Sequence, residues 1–389
     1  MNTHHPVEIA PGVLSWASQL DDNTVEQAAR TARLPIIHGH LALMPDAHLG
    51  KGSTIGSVIA TEGAIIPAAC GVDLGCGVIA TNIGITASQL PDSLDSALAG
   101  IARSIPAGVG QGHQVHDRGA AWIAAHPPAS ELSQKELHNA RRQFGSLGSG
   151  NHFLELCTDE RDAVWVMLHS GSRGIGNRLA QRHIESTRRL VFEHPLEDRD
   201  LAYLTQGTPE FDAYIADMLW AQSYAAANRA EMLESALRVL VSVLDRPITR
   251  TETVNIHHNY AALERHGDRD LWITRKGATS AKLGELGVIP GSMATGSFIV
   301  RGLGNPTSFE SCSHGAGRRL SRTAARKTLT PESLVARMHG KTWQERAARE
   351  LVDEHPDAYK DLQAVMADQA DLVEPVHRLT AVLNYKGVR

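Results

Sequence analysis

Three glycine-rich stretches, at residues 44–84, 145–176 and 288–317, alternate with β-branched runs and constrain this chain more than any other feature. Glycines set against Val and Ile runs read as strands meeting tight loops at a site. Between them, Val164–Leu168 reads as a buried strand ending in the loop HSGSRGIGN. A helix is expected from about Asn177 to Leu190. The segment from about Pro209 to Leu244 is expected to be mainly helical, with apolar residues at helical spacing. Ile299–Val300 reads as a strand running into a further loop. Gly315–Lys327 reads as a helix opening directly after His314, and the tail from Asp361 as helical, interrupted at Pro375. The polar stretch from about Ile105 to Gln143 gives no assignment. No internal repeat, low-complexity tract or linker stands out.

With 389 residues, 42% of them hydrophobic and 21% charged, the chain can bury a substantial core and does not read as disordered. A net charge of −5 excludes a globally basic nucleic-acid binder, so any such contact needs a local patch. Cys70, Cys76, Cys157 and Cys312 are scattered without a CxxC pair, which argues against a disulfide framework and suits a reducing cytoplasm. The opening MNTHHPVEIAPGV lacks the charged-then-apolar pattern of a signal peptide. No apolar run approaches the roughly 20 residues that span a bilayer, so the expected location is cytoplasmic, with no membrane partner. Histidine is frequent, at 20 residues, and neutral imidazole is the commonest metal ligand.

Five clusters carry chemistry. In PAACGVDLGCG, Asp73 and Cys76 sit three residues apart between glycines. A hard carboxylate and a soft thiolate at that spacing suit a borderline divalent ion such as Mn, Zn, Co or Fe, although a buried Cys beside a turn Asp is the commoner reading of that pair alone. In FGSLGSGNHFLEL, Asn151, His152 and Glu155 follow glycines whose backbone N–H groups can approach an anion. In MLHSGSRGIGN, His169 sits at a strand end, and Ser170, Ser172 and Arg173 suit phosphate. In NIHHNYA, His257 or His258 could bind metal; strand neighbours point to opposite faces, so one of the two is expected. In SCSHGAGRRLSRTAARK, His314 precedes a basic segment, and a neutral imidazole there could attack phosphorus. A helix starting near Gly315 would add an anion site. Jointly, with the serine loop PGSMATGS, these imply a metal-assisted phosphoryl or nucleotidyl transferase. There is no GxxxxGK[ST], so nucleotide binding would not use a P-loop.

The blocks MPDAHLGKGSTIGSVIAT, GVDLGCG, GSGNHFLE, MLHSGSRGIGN, HHNYA, TRKGA, IPGSM, SFIVRGLGN, SCSHGAGR and the late KG together closely resemble the RtcB family of RNA ligases, in family order from about residue 34 to 387. The resemblance implies an α+β fold of mixed sheets packed together with helices outside, as a single catalytic domain over 1–389. It implies joining of an RNA 3′-phosphate or 2′,3′-cyclic phosphate end to a 5′-hydroxyl end, with GTP as co-substrate and two Mn²⁺ ions. By the resemblance His314 is the nucleophile that takes GMP. Asp73, Cys76, His152, His169 and His258 are metal ligands, with Cys76 bridging. Asn151, Phe153, Glu155, Ser292, Ser297, Ala316, Gly317 and Lys386 form the guanylate pocket, and Arg173, Lys276, Arg318 and Arg322 contact RNA phosphates. Asp46 has a supporting role. The implied partners are RNA and GTP, with an accessory activator left open. Three departures stand out: Ala294 where the family usually has glycine, Cys70 where it usually has no cysteine, and a short region around 110–143. Two other classes remain in view. A metal-dependent phosphodiesterase or nucleotide hydrolase could use the same ligands without sealing, and a non-enzymatic scaffold could hold a structural metal.

Overall fold

The computed structural model describes residues 6–190 and 196–388. Two mixed sheets pack against each other and helices cover the outside, an α+β arrangement. One sheet has the strand order Val7–Ala10, Val13–Ser15, Ile37–His48, Ile55–Thr61, Arg269–Lys276, Asn259–His266. The other runs Glu252–His257, Gly77–Thr86, Ala163–Ser170, Phe153–Thr158, Val373–Lys386, Ser297–Gly302, Leu286–Pro290, with Thr342–Trp343 added in parallel to Val373–Lys386. Met44, Val58 and Ile273 of the first sheet meet Ile289, Phe298 and Val300 of the second in one apolar cluster.

Strand alternation decides which residues of the second sheet point into its own curled interior. Leu154, Leu156, Val164, Val166 and Leu168 face outward onto Met232, Leu233 and Leu240 of the helix Pro209–Leu244. The opposite face carries Phe153, Cys157, Trp165 and Met167, packed on Val288, Ile299 and Leu379. Glu155 and His169 fall on this inner face by the strand's period of two. The register then sets them in rows. Lys386 pairs with Phe153 and Phe153 with His169; two rows along, Asn384 pairs with Glu155 and Glu155 with Met167.

The helix Pro209–Leu244 starts on a Thr208 cap that accepts from the Phe211 N–H, has proline in its first turn, and ends at Asp245 in the left-handed region, φ 49°. Asn228 and Arg229 lie on its buried stripe. The Arg229 side chain is fully buried. Its Nη1 donates to the carbonyls of Gly75 (2.9 Å) and Ser170 (3.1 Å), and its Nε to Asn255 Oδ1 (2.8 Å). Asn228 Nδ2 donates to the carbonyls of Ser146 (3.3 Å) and Gly171 (3.2 Å), while its Oδ1 accepts from the Gly145 N–H (2.7 Å). Two adjacent side chains thus fasten three glycine loops to one helix.

The expected strand at Val164–Leu168 lies inside Ala163–Ser170, Ile299–Val300 inside Ser297–Gly302, and the helix at 209–244 has the expected bounds. The helix expected from Asn177 begins four residues earlier, at Arg173. Two expectations are corrected. No helix opens at Gly315: residues 314–321 form a loop, and the only helix in this segment is Arg322–Thr328, capped by Ser321. Gly317 takes φ 72° and packs so closely on Asp46 that a Cβ would lie 2.4 Å from the Asp46 carbonyl oxygen, a fit that helical backbone would not allow. The tail is a helix only over Leu362–Asp368, and Val373–Lys386 is a strand. There His377, Leu379 and Ala381 are buried and alternate with exposed Arg378 and Thr380. Pro375 sits at a bulge where the pairing skips a residue, a place that tolerates its missing N–H. The unassigned polar stretch holds helices Asp117–Ala125 and Gln134–Gln143. All four cysteines are free and buried. No helix among the described residues is long and apolar enough to cross a membrane.

Replacing Arg229 by Met leaves the Ser170 carbonyl and the Asn255 side-chain oxygen without that donor, while the Gly75 carbonyl keeps His257 Nδ1 at 2.8 Å. Each such orphaned acceptor costs on the order of 1–3 kcal/mol, partly offset because the buried charge is gone. Arg229→Met is expected to lower unfolding stability by about 2 kcal/mol in denaturant titration; an unchanged midpoint would remove Arg229 from this role.

Candidate active site

Five of the residues expected to bind metal converge from four chain segments. Cys76 Sγ lies 3.4 Å from His152 Nε2 and 3.2 Å from His169 Nε2. His169 Nε2 lies 3.2 Å from His258 Nε2, and Asp73 Oδ2 lies 3.1 Å from His152 Nε2. The donor atoms sort into two triads that share the thiol: Cys76 with His169 and His258, and Cys76 with Asp73 and His152. Of the HH pair, His258 joins the cluster, while His257 turns its Nδ1 to the Gly75 carbonyl, 2.8 Å away. Gly171 makes room for the cluster, since a Cβ there would fall 2.3 Å from Asp73 Oδ1.

Backbone carbonyls fix two of the rings. His152 Nδ1 lies 2.9 Å from the Leu147 carbonyl and His169 Nδ1 lies 3.1 Å from that of Asn151, so both Nδ1–H groups donate outward. Their Nε2 lone pairs then point at Cys76 and at each other's neighbours, while His258 Nδ1 is buried without a partner among the described residues. Lone pairs gathered this closely, with few protons to share, are stable around a cation, so the donor set fits divalent metal. Burial drives both His169 and His258 well below the usual imidazole range, which keeps them neutral as ligands must be. Burial alone would raise the Asp73 carboxyl, but the His152 hydrogen bond and nearby Arg173 outweigh it and hold it at about 2. Burial and the Asp73 carboxylate push the Cys76 thiol well up, so a cation is what would make it a thiolate.

His314 stands beside this cluster, its ring centroid 4.8 Å from that of His258. The strand Ile37–His48 places Asp46, fully buried, with Oδ2 2.6 Å from His314 Nδ1 and 3.2 Å from the His314 N–H that donates to it. Gly277, at φ 60°, lets the backbone pass the ring: a Cβ there would be 3.1 Å from His314 Cε1 and 2.4 Å from Ile55 Cγ2.

A cavity of about 560 Å³ opens onto both. Asn151, Phe153, Glu155, Ser292, Ser297, Ala316, Gly317 and Lys386 all line it, as do Asp73, Cys76, His169, His258, Lys276, His314, Arg318 and Arg322. Burial pushes the Glu155 carboxyl up to about 7, although Asn384 Nδ2 donates to it at 2.6 Å and Lys386 lies near. Lys386 Nζ lies 5.6 Å from the Phe153 ring centroid and 2.9 Å from Glu354 Oε2. Ala294 is not on the cavity wall; it packs with Met293 against the Leu334–Trp343 cluster.

Some cations stand elsewhere than a free phosphate contact would. Arg173 is absent from the cavity lining; its Nη1 lies 3.3 Å from His152 Nδ1, behind the metal-type cluster. Arg318 and Arg322 reach the cavity but are engaged with Glu354, and Arg322 also with Asp353 at 2.9 Å. Lys276 Nζ is buried on the carbonyls of Lys51 and Ala68. Sequence reasoning missed the contact from Asp46 to His314, and missed Glu354, Asn384 and the Asn228–Arg229 pair. For that pair a signal exists: Tyr224, Ala225, Asn228, Arg229 and Met232 share one helical stripe, so two polar residues interrupt an apolar face.

The family model described as tRNA-splicing ligase RtcB matches residues 27–387. An RNA-splicing ligase RtcB of Escherichia coli K12 is 45% identical over 384 residues, covering 93% of this chain and 93% of that protein. An RNA-splicing ligase RtcB of Mycobacterium tuberculosis is 31% identical over 436 residues, covering 93% and 100%. A tRNA-splicing ligase RtcB of Nanoarchaeum equitans is 30% identical over 419 residues, covering 89% and 87%.

Because Cys76 belongs to both triads, Cys76→Ala should weaken both sites together. Equilibrium dialysis with Mn²⁺ and metal analysis should show affinity down by at least about tenfold for every bound ion. Retention of one ion at full affinity would mean that the two triads do not share this sulfur.

Proposed function

The chain belongs to the RtcB family, and from that premise we propose how this RNA ligase works: it joins 3′-phosphate or 2′,3′-cyclic phosphate ends to 5′-hydroxyl ends, using GTP and a guanylate carried on His314. The observation that carries this reading is His314, backed by buried Asp46, facing the cavity beside two triads that share the Cys76 sulfur. With Asp46 Oδ2 only 2.6 Å from Nδ1, the Nε2 lone pair of His314 is left to attack. Nε2 bonds to the α-phosphorus of GTP, the bond to the bridging oxygen breaks, and pyrophosphate leaves. Asp46 stabilises the cation that forms on the ring. An oxygen of the RNA 3′-phosphate then attacks the same phosphorus, breaks the N–P bond and yields an RNA–pp–G end. The 5′-hydroxyl of the second RNA attacks the 3′-phosphorus and expels GMP. A cyclic phosphate is first opened by water.

Asp73, Cys76, His152, His169 and His258 would hold two divalent ions, assigned here as Mn²⁺. Such ions, when bound, polarise phosphoryl oxygens and stabilise entering and leaving groups. The chain's own residues do the rest. Phe153 offers a ring face to the base, and Glu155 accepts from the N–H edge of guanine, which adenine lacks at that place. Lys386, steadied by Glu354, completes the base site. The Ser292 and Ser297 hydroxyls and the backbone at Ala316 and Gly317 hold ribose and phosphate, and Asn151 faces the α-phosphate. Of the four cations expected at RNA phosphates, Arg318 and Arg322 line the cavity and would reach one by exchanging partners with Glu354, Lys276 lines it with its Nζ held on two carbonyls, and Arg173 stands behind the metal-type cluster and supports it from there.

Incubation with GTP and Mn²⁺ should add the mass of GMP to the protein, in an acid-labile, alkali-stable linkage. His314→Ala should abolish the adduct, and Asp46→Asn should slow its formation on the order of 10³-fold. An adduct that survives His314→Ala would place the guanylate on another residue.

Glu155 gives a pH dependence. Its carboxyl ionises at about 7, so below that value the protonated group accepts poorly from guanine. KM for GTP in adduct formation should therefore fall as pH rises through about 7, and Glu155→Gln should flatten that profile. A KM independent of pH between 6 and 8 would separate Glu155 from base recognition.

A further inference from the structure

The cavity continues past His314 and the metal-type cluster, away from the guanylate residues. Its wall there includes one face of the helix Arg173–Leu190, where Gln181, Ile184, Glu185 and Arg188 fall at helical spacing, together with Lys51, Lys276 and Asp200. The proposed mechanism gives most of this wall no task. Arg188 is the notable side chain: one Nη contacts Asp200, while its Nε is buried with no partner among the described residues. An arginine that lines a cavity, is half satisfied by a carboxylate and keeps an unpaired Nε–H matches a phosphate group once the side chain turns, because a phosphate takes both arms of the guanidinium fork.

We infer that this wall seats the RNA strand, with Arg188 as a backbone-phosphate contact and Asp200 holding the side chain until RNA displaces it. The inference rests on the ligase reading above and adds the place where the polynucleotide lies. The cations of this wall, Lys51, Lys276 and Arg188, outnumber the carboxylates Glu185 and Asp200, in a chain whose total charge is negative. From Gln181 to Arg188 the helix advances about 10 Å, enough to follow a strand beyond its terminal phosphate. Arg318 and Arg322, by contrast, stand with Glu354 and Lys386 on the guanylate part of the cavity.

Ligation of a 3′-phosphate RNA to a 5′-hydroxyl RNA tests this with Arg188→Gln, Asp200→Asn and wild type, with adduct formation from GTP followed in parallel. Arg188→Gln should raise KM for RNA roughly tenfold and reduce the slope of log(kcat/KM) against log salt by about 1, the signature of one lost phosphate contact. Asp200→Asn should move KM the other way, because it frees the guanidinium. Adduct formation involves no RNA, and its rate should stay within about twofold of wild type in both variants. If both substitutions lower the melting temperature while RNA KM and salt slope stay unchanged, the pair is structural and the inference is overturned. Parallel increases in KM for the two variants would overturn it as well. Absence of any adduct in the wild type would instead count against the ligase reading, independently of Arg188.

Discussion

A buried guanidinium that donates to backbone carbonyls organises this structure. Arg229 has no carboxylate within ion-pair distance among the described residues; its charge is distributed over the carbonyls of Gly75 and Ser170 and the amide of Asn255. Burial lowers its pKa to about 10, which still leaves it charged at neutral pH. Gly75 lies one residue before Cys76, and Ser170 one residue after His169, so the carbonyls that Arg229 grips set the spacing of two donor atoms. Asn228 does the same for the loops at Gly145–Ser146 and Gly171. Glycine-rich loops lose much entropy on ordering, and fixed donors from a rigid helix are what hold them in one arrangement.

A second electrostatic group governs the other part of the cavity. Glu354 is buried and sits among Lys386, Arg322, Arg318 and the Tyr359 hydroxyl. Burial alone would raise its carboxyl, but the Lys386 and Arg322 charges hold it at about 2. Glu155, only two strands from Ser297 in the same sheet, has weaker compensation and is pushed up to about 7. Two buried carboxylates in one cavity therefore differ in charge near neutrality because of the cations placed beside each. One keeps a lysine fixed, and the other, with fewer cations beside it, sits near its point of ionisation at neutral pH.

The candidate site was legible in the sequence because it rests on short blocks whose glycine, histidine and cysteine content is unusual, and most of those residues do meet at one cavity. The helix Pro209–Leu244 and the strand around Val164–Leu168 were legible from period alone. What failed was segments whose conformation is set from a distance. The run after His314 looks helical until Asp46 is known to pack against Gly317. Val373–Lys386 was joined to a helical tail on its apolar content, and Pro375, read as an interruption of that helix, occupies a bulge in a strand. Glu354 lies in VDEHPD, which carries no pattern at all. The arginines after His314 were read as a basic patch for an anion, and their acidic partners lie from 27 residues away upward in sequence, at Asp353 and Glu354.

The inner-face register has a consequence for how such a molecule is made. Gly77 pairs with His257, and Phe153 with Lys386, so neighbouring positions in the cavity are separated by about half of the polypeptide. Loops that long close slowly, because their entropy is lost before distant pairings reward it. While the chain leaves the ribosome, Cys76, His152 and His169 are synthesised well before His258 and His314. An early intermediate therefore has a thiol and two imidazoles without the rest of their enclosure, open to whichever soft ion or oxidant reaches them first.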